Sequence, residues 1–159
     1  LRVRTLLGPG GRDLGRVGTP VSVDVSLIRT LTKDGFIPVI APVGVDAEGA
    51  THNVNADTAA GAIAEALSAE KLILLTDVVG VLDEAKALIA QMSETQVRAA
   101  IADGTVKGGM IPKLECAVHA LEHGVTAAHV IDGFVPHALL LEIFTDGGVG
   151  TKLVRTQTR

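Results

Sequence analysis

Two continuous apolar runs, separated by a helical repeat, constrain the fold of this chain more than any other feature. The runs cover residues 36–41 and 71–76, and neither shows the polar alternation of a strand with one wet face. Between them, small residues recur with the helical period at Ala56, Ala59, Ala60, Ile63, Ala64 and Leu67. A buried strand, a helix and a second buried strand are typical of a parallel sheet, so we predict an α/β fold.

The remaining segments extend this alternation. We predict further strands at 2–7, 127–131 and 150–154, a hairpin at 44–49, and helices at 24–33, 93–102, 111–123 and 136–144. Asp24, Asn55 and Ser93 are suitable N-caps. Inward positions should be Val25, Leu27, Ile28, Leu31, Leu139, Leu140 and Leu141. The pattern predicts one lobe over residues 1–159, with a peripheral hairpin or loop region at 1–20, a mostly parallel sheet and helices on both faces.

Composition excludes several classes of function. The chain has 159 residues, 47% of them apolar, and 14 basic against 18 acidic residues give a net charge of −4. No basic stripe is present, so we do not expect a nucleic-acid partner. The apolar runs are too short to span a membrane, and the single cysteine, Cys116, suits a reducing compartment. We therefore expect a cytoplasmic protein.

The segment 104–115, GTVKGGMIPKLE, predicts an anion site. The glycine pair should leave the N–H groups of Gly108, Gly109 and Met110 open at the positive end of a helix. Lys113, in the first turn, is opposed by the helix dipole unless an anion lies nearby. The alternative is a plain loop followed by a solvated lysine.

Two other groups of polar residues lie where an α/β sheet binds ligands. Thr76 and Asp77 end a predicted parallel strand, and Asn53 and Asp57 flank the start of a helix. Each group has a structural alternative, since Asp57 favours a helix N-terminus and Asp77 can cap its own loop. The five histidines lack the paired spacing of a metal site, so we expect no metal held by protein ligands alone.

These motifs together resemble the C-terminal, nucleotide-binding half of the N-acetyl-L-glutamate kinases, in the amino-acid kinase family. The resemblance is carried by seven segments: GRVG (15–18), GFIPVIAPVG (35–44), HNVNADTAAG (52–61), AEKLILLTDVVGVL (69–82), GTVKGGMIPK (104–113), AHVIDG (128–133) and LLLEIFTDGGVGT (139–151). It implies a three-layer αβα sandwich, and phosphorylation of the γ-carboxylate of N-acetyl-L-glutamate by ATP for arginine biosynthesis. Mg²⁺ would be held mainly by the nucleotide phosphates.

The resemblance also implies a role for individual residues. Lys113 would stabilise the charge on the transferring phosphoryl group, Asp57 would orient the catalytic lysines, and Asn53 would bind the substrate α-carboxylate. The nucleotide would lie along Thr76, Asp77, Gly109 and Met110. L-arginine, as a feedback inhibitor, would bind at His129, Glu142 and Gly148. The alternative for Glu142 is one exposed acid on an amphipathic helix.

The chain also departs from the family pattern. The family's N-terminal substrate and dimerisation lobe, with a second catalytic lysine, is not recognisable, so we expect the chain alone to be inactive and the full-length protein to be a homo-oligomer. Phe134 stands where the family usually has arginine, and the loop 82–88 is short. The alternatives are a non-catalytic module that binds nucleotide or arginine, and another amino-acid kinase, against which Asn53 and GGMIPK argue.

Overall fold

The computed structural model describes residues 1–156 and divides the chain into two compact units. The first is Leu1–Leu67 and the second is Ser68–Arg159. The single nucleotide-binding lobe over residues 1–159 stays a prediction. Within the described residues, no helix is both long and apolar enough to cross a bilayer.

The first unit contains a closed barrel of four short strands: β1 (Arg2–Leu7), β2 (Asp13–Ser22), β3 (Val43–Val45) and β4 (Thr51–Val54). The pairs β1–β2 and β3–β4 are antiparallel, while β2–β4 and β1–β3 are parallel. The hairpin predicted at 44–49 is confirmed. Strand β2 is ten residues long and extends past the peripheral region predicted at 1–20.

Two helices complete the first unit. Helix α1 covers Ser26–Lys33 and α2 covers Ala56–Leu67. The Asn55 side chain accepts a hydrogen bond from the Thr58 N–H at 3.1 Å, which confirms the predicted N-cap. The core of this unit is small, since its cluster consists of Val3, Val54 and Ala59 with Leu1 packed beside it.

Two predictions for the first unit are wrong. Helix α1, all of whose residues are described, has no buried residue: Leu27 is 67% exposed, and Ile28 and Leu31 are only half-buried. The apolar run 36–41 forms no strand in the described chain, and Ile37 and Val39 are 90% and 96% exposed. An apolar run gives a segment its preference for burial, but it does not supply the surface that would cover it.

The second unit contains a four-stranded sheet in the order β5–β7–β8–β6. The strands are β5 (Lys71–Thr76), β6 (Gln91–Ser93), β7 (Ala127–Asp132) and β8 (Thr151–Val154). The pairs β5–β7 and β6–β8 are parallel, and β7–β8 is antiparallel. This confirms the predicted α/β class and its mostly parallel sheet.

Three helices pack around this sheet: α3 (Glu94–Ala102), α4 (Met110–Glu122) and α5 (Ala138–Phe144). Both α4 and α5 contact β7, and residues 127–131 of that strand are all buried, so both of its faces are covered. The predicted layers of helix, sheet and helix are therefore present. Leu139, Leu140 and Leu141 are exposed, contrary to prediction, and in α5 only Ala138 is buried.

Candidate functional site

The N-terminus of α4 is open around its glycine pair. Gly108 has φ +58°, and Gly109, the N-cap, has φ −66°. A Cβ built on either glycine would meet no atom within 4 Å, and in the described chain no side chain caps the helix. The backbone can therefore be approached closely at the positive end of the helix dipole.

One detail of the predicted anion site is wrong. The Met110 N–H donates to the Lys107 carbonyl at 3.4 Å, so it is not left open as predicted. Lys113 is half-buried in the first turn of α4, as the sequence places it. The geometry therefore offers a cation and an open glycine pair on one helix end, which is a suitable arrangement for a phosphate.

The carboxyl ends of two parallel strands meet at Thr76 and Asp132. These residues are in register between β5 and β7, and the Gly133 N–H donates to the Thr76 carbonyl at 2.8 Å. The Thr76 hydroxyl donates to Asp77 Oδ1 at 3.2 Å. Thr76 and Asp77 thus lie at the sheet edge where open α/β folds bind ligands.

Thr151 fixes the loop after β5, a role that the sequence analysis missed. Its buried Oγ1 accepts from the Val81 N–H at 2.8 Å. Gly80, with φ +134°, has no room for a side chain, because an added Cβ would lie 2.7 Å from Thr151 Oγ1. The contact joins residues 70 apart in the chain, so local patterns could not reveal it.

In the first unit, Asn53 and Asp57 lie on either side of the junction between β4 and α2. Asn53 is exposed on β4, where it pairs with Val17 of β2 and Val43 of β3. Asp57 is half-buried in the first turn of α2. A carboxylate in that position is also favourable for the helix itself.

A hydrogen-bonded pair next to Asn53, formed by buried His52 and half-buried Asp46, was not predicted. His52 Nε2 lies 2.7 Å from Asp46 Oδ2, and the side chain of His52 is only 6% exposed. The hydrogen bond from His52 is the main cause that lowers the pKa of Asp46 below its ordinary value. The two partners are six positions apart in the chain, and the β3–β4 hairpin brings their side chains together.

The structure brings together His129, Glu142 and Gly148. His129 Nδ1 lies 2.6 Å from Glu142 Oε1, and the Val149 N–H donates to Oε2 at 2.7 Å. Burial raises the pKa of Glu142, but the hydrogen bonds from Val149 and His129 outweigh it, so the pKa lies below its ordinary value. Gly148 has φ +57° and no room for a Cβ beside Glu142. The alternative of a single exposed acid at position 142 is wrong.

Two of the five histidines form a pair on the second unit, contrary to the sequence prediction. His119 and His123 lie one turn apart on α4 and its C-cap, and their rings stack with centroids 4.1 Å apart. A spacing of four residues is a paired spacing on a helix. The sequence analysis overlooked this pair.

A comparison with known protein families decides the assignment. The model of the amino acid kinase family matches residues 3–132. The chain belongs to the amino acid kinase family. This agrees with the open helix end and the polar strand ends described above.

Curated relatives within this family are similar to the chain over most of its length. Acetylglutamate kinase from Granulibacter bethesdensis is 60% identical over 139 residues, which are 87% of this chain and 47% of that protein. The Marinomonas acetylglutamate kinase is 53% identical over 152 residues, 96% of this chain and 50% of that protein. The chain thus spans about half the length of the curated relatives it matches.

Solved structures share the fold. N-acetylglutamate synthase from Neisseria gonorrhoeae, complexed with coenzyme A and L-arginine, aligns with a TM-score of 0.90 at 28% identity. The alignment covers 97% of this chain and 36% of that one. Carbamate kinase from Giardia lamblia aligns with a TM-score of 0.66 at 21% identity, covering 97% of this chain and 52% of that one, and shows the fold alone.

Proposed function

We propose that this chain supplies the nucleotide-binding half of an ATP-dependent kinase that phosphorylates the γ-carboxylate of N-acetyl-L-glutamate, in the cytoplasm, for arginine biosynthesis. The observation that carries the proposal is the open glycine pair at the start of α4 with Lys113 in its first turn. The similarity to proteins named acetylglutamate kinase, at 53–60% identity, supports the choice of substrate.

The reaction transfers one phosphoryl group. A γ-carboxylate oxygen of the substrate bonds to the γ-phosphorus of ATP, and the bond from that phosphorus to the β,γ-bridging oxygen breaks. The electron pair leaves with ADP, and the product is an acyl phosphate. Catalysis of this kind depends on positioning and on charge stabilisation, and Mg²⁺ on the nucleotide phosphates supplies part of that charge.

Each site residue has one role in this proposal. In the first unit, Asn53 binds the substrate α-carboxylate and Asp57 has the lysine-orienting role that the resemblance implies. In the second unit, Lys113 stabilises the charge on the moving phosphoryl group. Thr76, Asp77, Gly109 and Met110 lie along the nucleotide. Aliphatic side chains would hold the adenine, because the chain contains only three aromatic residues of the Phe, Trp and Tyr classes.

Binding and turnover can be tested separately. We expect isothermal titration to detect MgADP binding to the chain, and Lys113→Ala to weaken it by about tenfold or more through loss of a charged contact. Lys152→Ala, at an exposed lysine on β8 of the same unit, is the control and should leave the affinity unchanged. Absence of MgADP binding in the wild-type chain would overturn the proposal.

The same proposal predicts no turnover from these 159 residues alone. A second catalytic lysine and a second phosphate-binding loop are not evident in their sequence. A coupled assay should therefore detect no ADP release with N-acetyl-L-glutamate. Clear turnover would contradict this part of the proposal without affecting nucleotide binding.

The assembled group of His129, Glu142 and Gly148 supports a second candidate, a regulatory module that binds L-arginine in a homo-oligomer. Glu142 is a buried carboxylate with both oxygens engaged, so a guanidinium would share or replace the His129 and Val149 contacts. We expect calorimetric binding of L-arginine that Glu142→Gln abolishes. Binding of neither L-arginine nor MgADP would reject the regulatory module.

A further inference from the structure

Asp46, half-buried in the turn of the β3–β4 hairpin, is hydrogen-bonded to buried His52 on β4. Besides the His52 ring, Asp46 accepts the Ala50 N–H at 2.7 Å and the Glu48 N–H at 3.1 Å, both through Oδ1. The other oxygen, Oδ2, is hydrogen-bonded to Nε2 of the His52 ring. One carboxylate therefore joins the turn to the strand that follows it.

The ring of His52 depends on this single partner. Among the described residues, no hydrogen-bond partner reaches its buried Nδ1. The side chain of His52 is closely packed in the barrel. A Cβ added to Gly18 would lie 3.0 Å from the Cβ atoms of both His52 and Val3, so no space is left beside them. Packing and the Asp46 bond thus hold the ring in one orientation.

An ionisable pair with one buried member adds little stability to such a small core. Apolar replacements of buried pairs are often neutral or stabilising, because desolvation offsets the attraction between the partners. Here one ring nitrogen is also left unsatisfied, which is unfavourable. The pair is better explained by specificity of conformation than by stability.

The residue that the pair would orient is Asn53. Side chains alternate along β4, so His52 and Val54 face the barrel while Asn53 faces out. A shift of one residue in the hairpin would move Asn53 to the inner face. Because Asp46 fixes both the turn and His52, it fixes that register.

We propose that His52 and Asp46 are positioning residues, which hold β4 so that Asn53 is presented to the α-carboxylate of N-acetyl-L-glutamate. This rests on the substrate proposed above. The key variant is Asp46→Asn, because an amide has only one acceptor oxygen. Its oxygen can accept from the backbone amides, but the NH2 group that replaces the other oxygen cannot accept the Nε2–H of His52, so the charge-assisted bond to the ring is lost.

The test is an NMR titration of the 159-residue chain with N-acetyl-L-glutamate and, separately, with MgADP. We expect Asp46→Asn to weaken N-acetyl-L-glutamate binding by about tenfold and to leave MgADP affinity within about twofold. His52→Gln, whose amide can still donate to Asp46, should restore most of the affinity lost in His52→Asn. Asp13→Asn is the matched control, since Asp13 also accepts a backbone N–H in this unit but contacts no histidine.

Hydrogen exchange without ligand provides the independent measurement. In Asp46→Asn and His52→Asn, the amides of residues 51–54 should exchange about tenfold faster than in the wild type and in Asp13→Asn. Unchanged exchange would overturn the positioning role, and so would an equal loss of affinity for both ligands. If the wild-type chain binds no N-acetyl-L-glutamate, the proposed substrate fails, while the exchange rates still decide whether the pair holds β4.

Discussion

At the scale of single residues, Glu142 should stabilise the second unit. Its side chain is 5% exposed, and its two oxygens accept from His129 and from the Val149 N–H. Glutamine is uncharged and has one acceptor oxygen, so Glu142→Gln loses the charge-assisted hydrogen bonds to His129 and Val149. We expect the free energy of unfolding at pH 7 to fall by about 1–3 kcal/mol, measured by urea denaturation.

The pH dependence of this difference follows from the pKa of Glu142. That pKa lies below the ordinary value of 4.5, so ionisation stabilises the fold above pH 4.5, and the contribution disappears as the pH falls through the folded-state pKa. The difference in unfolding free energy between the wild type and Glu142→Gln should therefore become smaller below pH 4.5. Glu84→Gln, at an exposed glutamate of the same unit, should have the same unfolding free energy as the wild type. An equal loss of unfolding free energy in both variants would contradict the stabilising role of Glu142.

Among the helices and strands, the N-terminus of α4 is a place where one substitution can affect ligand affinity without lowering stability. Gly109 has helical dihedrals, φ −66° and ψ −13°, and a Cβ there would meet no atom within 4 Å. Gly109→Ala should therefore keep or raise the unfolding free energy, by up to about 1 kcal/mol. The methyl group would occupy space that a phosphate needs, so we expect MgADP affinity to fall by about tenfold.

Calorimetry and urea denaturation on the same samples would test this prediction. Gly147→Ala is the control, because its added Cβ also meets no atom within 4 Å and its place is far along the chain from α4. It should leave MgADP affinity unchanged, while its effect on the unfolding free energy should be similar to that of Gly109→Ala. Unaltered MgADP affinity in Gly109→Ala would show that the glycine pair does not contact the nucleotide.

Local signals explain which elements the sequence could predict. Ser93 and Gln96 form a capping box at α3, and Asn55 caps α2, so both helix starts could be predicted within a few residues. The short strand β6 and most of β2 were missed. In β2, Gly15, Gly18 and Pro20 interrupt the apolar pattern, and its pairing depends on strands that are distant in the chain.

At the scale of the whole molecule, the sequence shows how strongly a segment prefers burial but not which surface covers it. The run at 71–76 forms the predicted parallel strand, although only Leu72 and Leu74 are buried in it, while the equally apolar run at 36–41 is exposed. The same limit applies to the candidate sites. Strand ends and helix starts could be located, but the pairs His52–Asp46 and His129–Glu142 form through folding of a hairpin and a helix against a strand.

The exposure of the apolar run at 36–41 leads to a final prediction about stability. Ile37 and Val39 already contact solvent over 90% and 96% of their surface, so removing their apolar groups gives up little burial. The double variant Ile37→Ser with Val39→Ser should change the unfolding free energy of the chain by less than about 0.5 kcal/mol. Val130→Ser is the matched control, since Val130 is fully buried in β7 and should lose about 2 kcal/mol or more. A comparable loss in the double variant, measured by urea denaturation, would show that the run is covered in solution and would reject its exposed position.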